Sequence, residues 1–365
     1  MKSYSASSLG QMVKCHGRTF FDTETQALFF NWTCSGFTVA FEGTRLRARI
    51  LAYEDRLPMP PDAPVDYPCV GVVGEDGETL TCRFKCAQRE AWYDLFDGEQ
   101  GAHTLRMVKL SENMRGKTGL LALETDGELR PVDSPKKGLA IEFIGDSITC
   151  GFGNEAPDRD ALFETAEENG WMTYGAVAGR KLGAEFNMIS VSGIGAGRAK
   201  YPRFPGKQME DVYEYTDLYC HERLGRAPAL WDFEHNRKDI VLINLGTNDV
   251  GPVRFYQDLA VADEEEAWFS DRYLAFLETV RRLNGPEALI VCTLGPLDYY
   301  LWDNIKEVVE AYCRETGDQR VACFKLIGVN LLTEGFGAVS HPSLKTQVRM
   351  GAELAARLEK LIKQV

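Results

Sequence analysis

From residue 139 onward, five short apolar runs recur with helical stretches between them, and this alternation constrains the fold more than any other feature of the chain. The runs are LAIEFIG, AEFNMIS, DIVLINLG, ALIVCTLG and VACFKL. Each is apolar on successive rather than alternate residues, the pattern of a parallel strand covered on both faces. DRYLAFLETVRRL, NIKEVVEAYCRE and the last segment, LKTQVRMGAELAARLEKLI, carry apolar residues at helical spacing. Strand-helix alternation of this kind predicts an α/β unit, a parallel sheet with helices on both faces.

Residues 18 to about 130 read differently. TRLRARIL sets Leu46, Ala48 and Ile50 on one face and Arg45, Arg47 and Arg49 on the other, the period-2 alternation of a half-buried strand. ALFFNW, GFTVAFEG, ETLTCRF, HTLRMVKL and TGLLALET are further strand candidates, separated by turns such as EDGET and TDGEL. Short antiparallel strands without an intervening helix predict an all-β sandwich or jelly roll. A chain of 365 residues exceeds what one core usually serves. PVDSPKKG, residues 131 to 138, is the expected linker, which divides the chain into a β-sandwich or jelly-roll domain over 1–134 and a flavodoxin-like parallel-sheet domain over 135–365.

Charge narrows the partners. The net charge of −13 is spread along the chain without basic clusters, and nucleic-acid binding draws its affinity from clustered Lys and Arg. No run of about 18 apolar residues occurs, so no membrane partner is expected. The start, MKSYSASSLGQMVK, has no apolar signal core, which predicts a cytoplasmic protein. In that setting the ten cysteines are expected to be reduced thiols. Only Cys82 and Cys86 lie close together, and no His pair completes a zinc spacing, so neither a metal nor another cofactor is expected.

Four loops expected at strand ends carry the candidate chemistry. Gly145-Asp146-Ser147 follows AIEFI, at the carboxyl edge where open α/β sheets bind ligands. A serine starting a helix there is either an exposed nucleophile or a helix cap. Gly193 follows AEFNMIS and Asn248 follows DIVLINL. A glycine N–H and an asparagine amide, with the N–H of Ser147, suit an oxyanion hole, although Gly and Asx turns are the ordinary use of such residues. His341, in SHPSLKTQ, stands just before the last helix, and His16, His103, His221 and His235 have no comparable setting. Asp146 and Asp249 read as turn-stabilising acceptors. A nucleophile, two further donors and a base make up the set that acyl transfer needs, with Ser147 and His341 as the catalytic pair.

In this order, GDSIT with Gly193, Asn248 and His341 resembles the SGNH, or GDSL-like, hydrolase superfamily. EFIGDSITCGFGNE and GAHTLRMVKLSE, residues 101 to 112, are similar to carbohydrate esterase family two. The resemblance implies a jelly-roll domain followed by an SGNH domain and removal of O-acetyl groups from carbohydrates, the substrate being a small acetylated sugar or a xylo- or manno-type oligosaccharide. Esterase, thioesterase or lysophospholipase action on other acyl chains would use the same residues, and a carbohydrate-binding protein of weak activity is the reading from another class. The chain departs from the superfamily in one respect. An Asp often stands two or three residues before the His, but those positions here are Val339 and Ala338, and Glu334 is the nearest upstream acid. Either a backbone carbonyl orients His341, or another group substitutes, or activity is weak. Tyr299 and Trp302, in GPLDYYLWDN, could stack on a sugar ring or pack the helix that follows.

Overall fold

The computed structural model describes residues 1–54, 66–132, 138–200, 206–251 and 259–364. The boundary expected at residues 134 and 135, with most of the PVDSPKKG segment, lies outside the described residues. The N-terminal part is antiparallel: β1 (Lys2–Ser5), β2 (Val13–His16), β3 (Thr19–Asp22), β4 (Ala27–Phe30), β5 (Gly36–Tyr53), β6 (Cys69–Val73), β7 (Leu80–Lys85), β8 (Glu90–Lys109), β9 (Lys117–Thr125) and β10 (Glu128–Arg130). They form one ten-stranded sheet organised around β5. β8 runs along one side of β5, while the other side pairs with β2 and β10 and then with β9.

Alternation along β5 behaves as its sequence dictates. Leu46, Ala48 and Ile50 are fully buried. Arg45, Arg47 and Arg49 pair with Asp97, Glu124 and Glu90 on neighbouring strands. GFTVAFEG and TRLRARIL are one strand rather than two, because the chain passes Gly43 with a register shift instead of a turn. CVGVV, buried at every residue, has no alternation to betray it and is β6.

The second part is the predicted parallel sheet: β11 (Ala140–Gly145), β12 (Glu185–Ser190), β13 (Ile240–Asn244), β14 (Leu289–Leu294) and β15 (Val321–Lys325), ordered β12-β11-β13-β14-β15. Its helices include α1 (Ser147–Cys150), α2 (Tyr174–Lys181), α3 (Met209–Val212), α4 (Leu218–Leu224), α5 (Leu259–Asn284), α6 (Trp302–Thr316) and α7 (Leu344–Ile362). The strand order reverses direction at β11, so the loops after β11, β12 and β13 open onto a topological switch point, where open α/β sheets bind ligands.

The two parts do not keep separate cores. Cys69, Val73, Val108 and Leu110 from the antiparallel part pack into one cluster with Phe143, Ile148, Met188 and Met350. Trp32 enters the cluster on the opposite face of the parallel sheet, and its Nε1–H donates to the Thr216 carbonyl at 2.8 Å. Arg18, just before β3, is buried against Glu142 of β11 and lies over the rings of Tyr213 and Phe233. This shared packing holds the antiparallel part in a fixed relation to the sheet edge that bears the candidate site.

Candidate active site

Asp146, not Ser147, caps α1: its carboxylate accepts from the Ile148 N–H at 2.9 Å. The serine is the first residue inside the helix, so its hydroxyl is free of the capping role. Ser147 Oγ lies 2.9 Å from His341 Nε2. On the far side of the ring, His341 Nδ1 lies 3.1 Å from the carbonyl oxygen of Ala338. A donating Nδ1–H leaves Nε2 as the acceptor for the serine proton, the tautomer a general base requires.

The turn that presents this carbonyl is strained. Val339 (φ 50°, ψ 40°) and Ser340 (φ 60°) both occupy the left-handed region. For a β-branched residue this costs on the order of 1–3 kcal/mol and persists only where the surroundings impose it. Here the Val339 and Ser340 N–H groups donate to the Ala161 and Arg159 carbonyls, and the Ala338 N–H donates to the Gly153 carbonyl. A Cβ on Gly337 would stand 2.2 Å from that Gly153 oxygen. The His341 turn is therefore clamped directly onto the loop that leaves α1, which sets the separation of Ser147 and His341.

Glu334 is engaged elsewhere. It pairs with Arg349 and accepts from Thr346 Oγ1 and the Asn330 N–H, tying its loop to α7. Glu334→Gln is expected to leave kcat for an aryl acetate within about twofold, because the neutral side chain disturbs only this tie and the carbonyl still orients His341. A loss of about 10⁴-fold, as for a triad Asp, would identify Glu334 as the missing acid.

The loop after β12 is pinned from three directions. Ser192 N–H donates to Glu112, Gly195 N–H to Gln208, and Ala196 N–H to Asp249. Gly193 between them has φ +81°, a conformation that only glycine adopts without strain, and its N–H has no partner among the described residues. Asn248 Nδ2 donates to the Ile194 carbonyl at 2.9 Å and makes a longer contact of 3.3 Å with Asp146 Oδ2. Beside Gly193 and Asn248 opens a cavity of about 980 Å³, lined also by Glu112, Arg115, Tyr219 and Trp268.

Burial pushes the His341 imidazole below its ordinary pKa, while its bonds to the Ala338 and Val339 carbonyls and the Glu112 charge act the other way. The ring is thus neutral and able to accept a proton at neutral pH. Burial also pushes Asp146 up to about 7, helped by the nearby Asp249 charge, and Asp249 up to about 6. Both carboxyls act through backbone hydrogen bonds, as turn acceptors. Among the described residues no three His, Cys, Asp or Glu side chains are placed to share a metal ion.

Tyr299 and Trp302 are occupied by packing. Tyr299 OH donates to the Leu326 carbonyl, Trp302 packs against the core as the first residue of α6, and Lys325 lies over both rings. Neither ring, nor Ser147 or His341, is among the residues lining the cavity beside Gly193 and Asn248. The reading of the sequence did not single out Glu112. Its signal was the density of charge in KLSENMRGK, residues 109 to 117, of which Lys109, Glu112, Arg115 and Lys117 are all buried.

The sequence model of the GDSL-like lipase/acylhydrolase family matches residues 143–347, from the strand before Ser147 to beyond His341 and over more than half the chain. The chain belongs to this family. Among curated proteins, this GDSL-like hydrolase is 34% identical over 268 residues to the cellulase/esterase CelE of Acetivibrio thermocellus, covering 71% of the chain and 30% of that protein. It is 27% identical over 278 residues to an acetylxylan esterase/glucomannan deacetylase of Cellvibrio japonicus, covering 71% of the chain and 66% of that protein. The chain thus spans less than two thirds of the length of either relative. Among solved structures, a family two carbohydrate esterase from Clostridium thermocellum in complex with cellohexaose superposes with a TM-score of 0.80 at 29% identity, over 97% of this chain and 100% of that one.

Proposed function

We propose that this GDSL-like hydrolase is a carbohydrate O-acetyl esterase working through a Ser147–His341 pair oriented by the Ala338 carbonyl. The observation that carries the reading is the 2.9 Å contact between Ser147 Oγ and His341 Nε2 at the sheet's switch point. The names of the relatives supply the substrate class. His341 takes the hydroxyl proton as Ser147 Oγ attacks the acetyl carbonyl. The N–H groups of Ser147 and Gly193 and the Asn248 amide receive the oxyanion, which displaces the long contact between Asn248 and Asp146. Protonated His341 then passes its proton to the departing sugar oxygen, and water repeats the sequence to release acetate.

A carbonyl orients the ring as an Asp does but brings no full charge to the imidazolium, so the arrangement leans on its other donors. The antiparallel part is read as a jelly roll, a reading supported by the way β5 changes partners along its length. A reducing, cytoplasmic compartment is part of the same proposal and, with it, a short soluble substrate rather than a polymer.

The test is a comparison of acetylated di- to tetrasaccharides, intact acetylated xylan, aryl acetate and an aryl ester series of rising acyl length. Binding energy from the sugar, realised at the transition state, is expected to give the acetylated oligosaccharides the highest kcat/KM. Butyryl and longer esters are expected to be poor. Better rates on long acyl chains would overturn the acetyl esterase reading, and better rates on polymer would overturn the oligosaccharide and its compartment.

A further inference from the structure

Glu112 lies in the turn between β8 and β9, in the antiparallel part, yet its side chain ends inside the parallel part. It is fully buried. Its Oε2 accepts from the Ser192 backbone N–H at 2.6 Å and from Cys150 Sγ at 3.4 Å. Ser192 immediately precedes Gly193, and Cys150 ends the helix that begins with Ser147. One carboxylate oxygen therefore bridges the loop carrying an oxyanion donor and the helix carrying the nucleophile.

Holding a loop needs only a neutral acceptor, and burying a carboxylate is costly. Here Arg115 Nε stands 3.4 Å from Oε1, and the turn itself is tied down by the Glu112 N–H, which donates to Glu168 Oε2 at 2.8 Å. The surrounding titratable groups are Arg115 of the same turn, Lys109 at the end of β8, Cys150 of α1, Asp146, Glu168 and Tyr219 of α4. His341 itself faces Ser147 Oγ, the Ala338 carbonyl and the ring of Phe152, over which Arg115 also lies.

We propose that Glu112 is a positioning residue of the esterase site, holding the Gly193 loop against the Ser147 helix through one carboxyl oxygen. The antiparallel part thereby contributes to the chemistry and not only to the packing. This rests on the esterase reading of Ser147 and His341.

Two variants separate the acceptor from the bulk of the side chain. Glu112→Ala removes the acceptor, and its kcat for aryl acetate is expected to fall roughly 10- to 100-fold at little-changed KM, less than outright loss of an oxyanion donor. Glu112→Gln keeps the arm and an acceptor oxygen, and is expected to restore kcat to within a few-fold of wild type. Wild-type kcat in a folded Glu112→Ala, or a Glu112→Gln variant as slow as Glu112→Ala, overturns the proposal. If Glu112→Ala does not fold, Glu112→Asp, which shortens the arm, takes its place. Failure of the esterase reading shows separately, as activity that survives Ser147→Ala, and takes this proposal with it.

Discussion

Ser147→Ala is expected to lower aryl acetate turnover by about 10⁴-fold or more while the protein stays folded. The covalent route disappears with the hydroxyl, and what remains is the rate that the oxyanion donors and binding alone support. The fold should survive because Ser147 has no structural duty. Asp146 makes the cap, and Ser147 Oγ meets His341 rather than a backbone group. Initial rates on an aryl acetate, with circular dichroism and a melting curve for each protein, decide the matter. Retention of more than a few per cent of wild-type kcat in a folded variant would remove Ser147 from the mechanism.

Arg18→Met is expected to cost about 3–5 kcal/mol of stability, because it leaves Glu142 buried without its partner. Arg18 Nη2 lies 3.2 Å from Glu142 Oε1, Tyr213 OH donates to the same oxygen at 2.8 Å, and neither charged side chain is appreciably exposed. Burial works to raise the Glu142 pKa, but Arg18 and Lys238 more than offset it and hold the carboxyl below its usual range. A folded-state pKa that is lowered adds stability above the unfolded pKa and loses it as pH falls through the folded one. The gap between wild type and Arg18→Met should therefore narrow in acid. The double variant Arg18→Met/Glu142→Leu should recover most of the loss, since an apolar pair of similar size often replaces a buried ion pair without cost. Urea unfolding at neutral and acid pH measures both effects. A single-variant loss below about 1 kcal/mol would mean that water reaches Glu142 and that the pair contributes little to joining the two parts.

Most of the parallel sheet was legible because its signals are local. Each of the five strands lies within its apolar run, and α7 coincides with the segment read as helical. A strand covered on both faces must be apolar throughout, and a helix against a sheet must repeat its apolar residues near every 3.6 positions, so both constraints are written into consecutive residues. The antiparallel part was less legible. β1, β2, β3 and β10 are three or four residues long, too short to show a period, and β6 is buried along its whole length.

The same distinction divides the candidate site. Ser147, Gly193, Asn248 and His341 could be picked out because each follows or precedes a recognisable element, and chain order alone sends them to one sheet edge. What orients His341 could not be read in this way. A carbonyl belongs to every residue, and Ala338 is distinguished only by the left-handed backbone at Val339 and Ser340, which distant partners impose. Glu112 was hidden for a related reason: it is 80 positions from Ser192 in the chain, and the density of charge around it does not say which distant group its carboxyl meets. Sequence by itself determined the sheet, its helices and which residue types stand at its carboxyl edge, since these follow from the periodicity of burial. Only the tertiary structure decided which carbonyl faces the histidine and which carboxyl meets the loop after β12, since a hydrogen bond depends on distance in space and leaves no period along the chain.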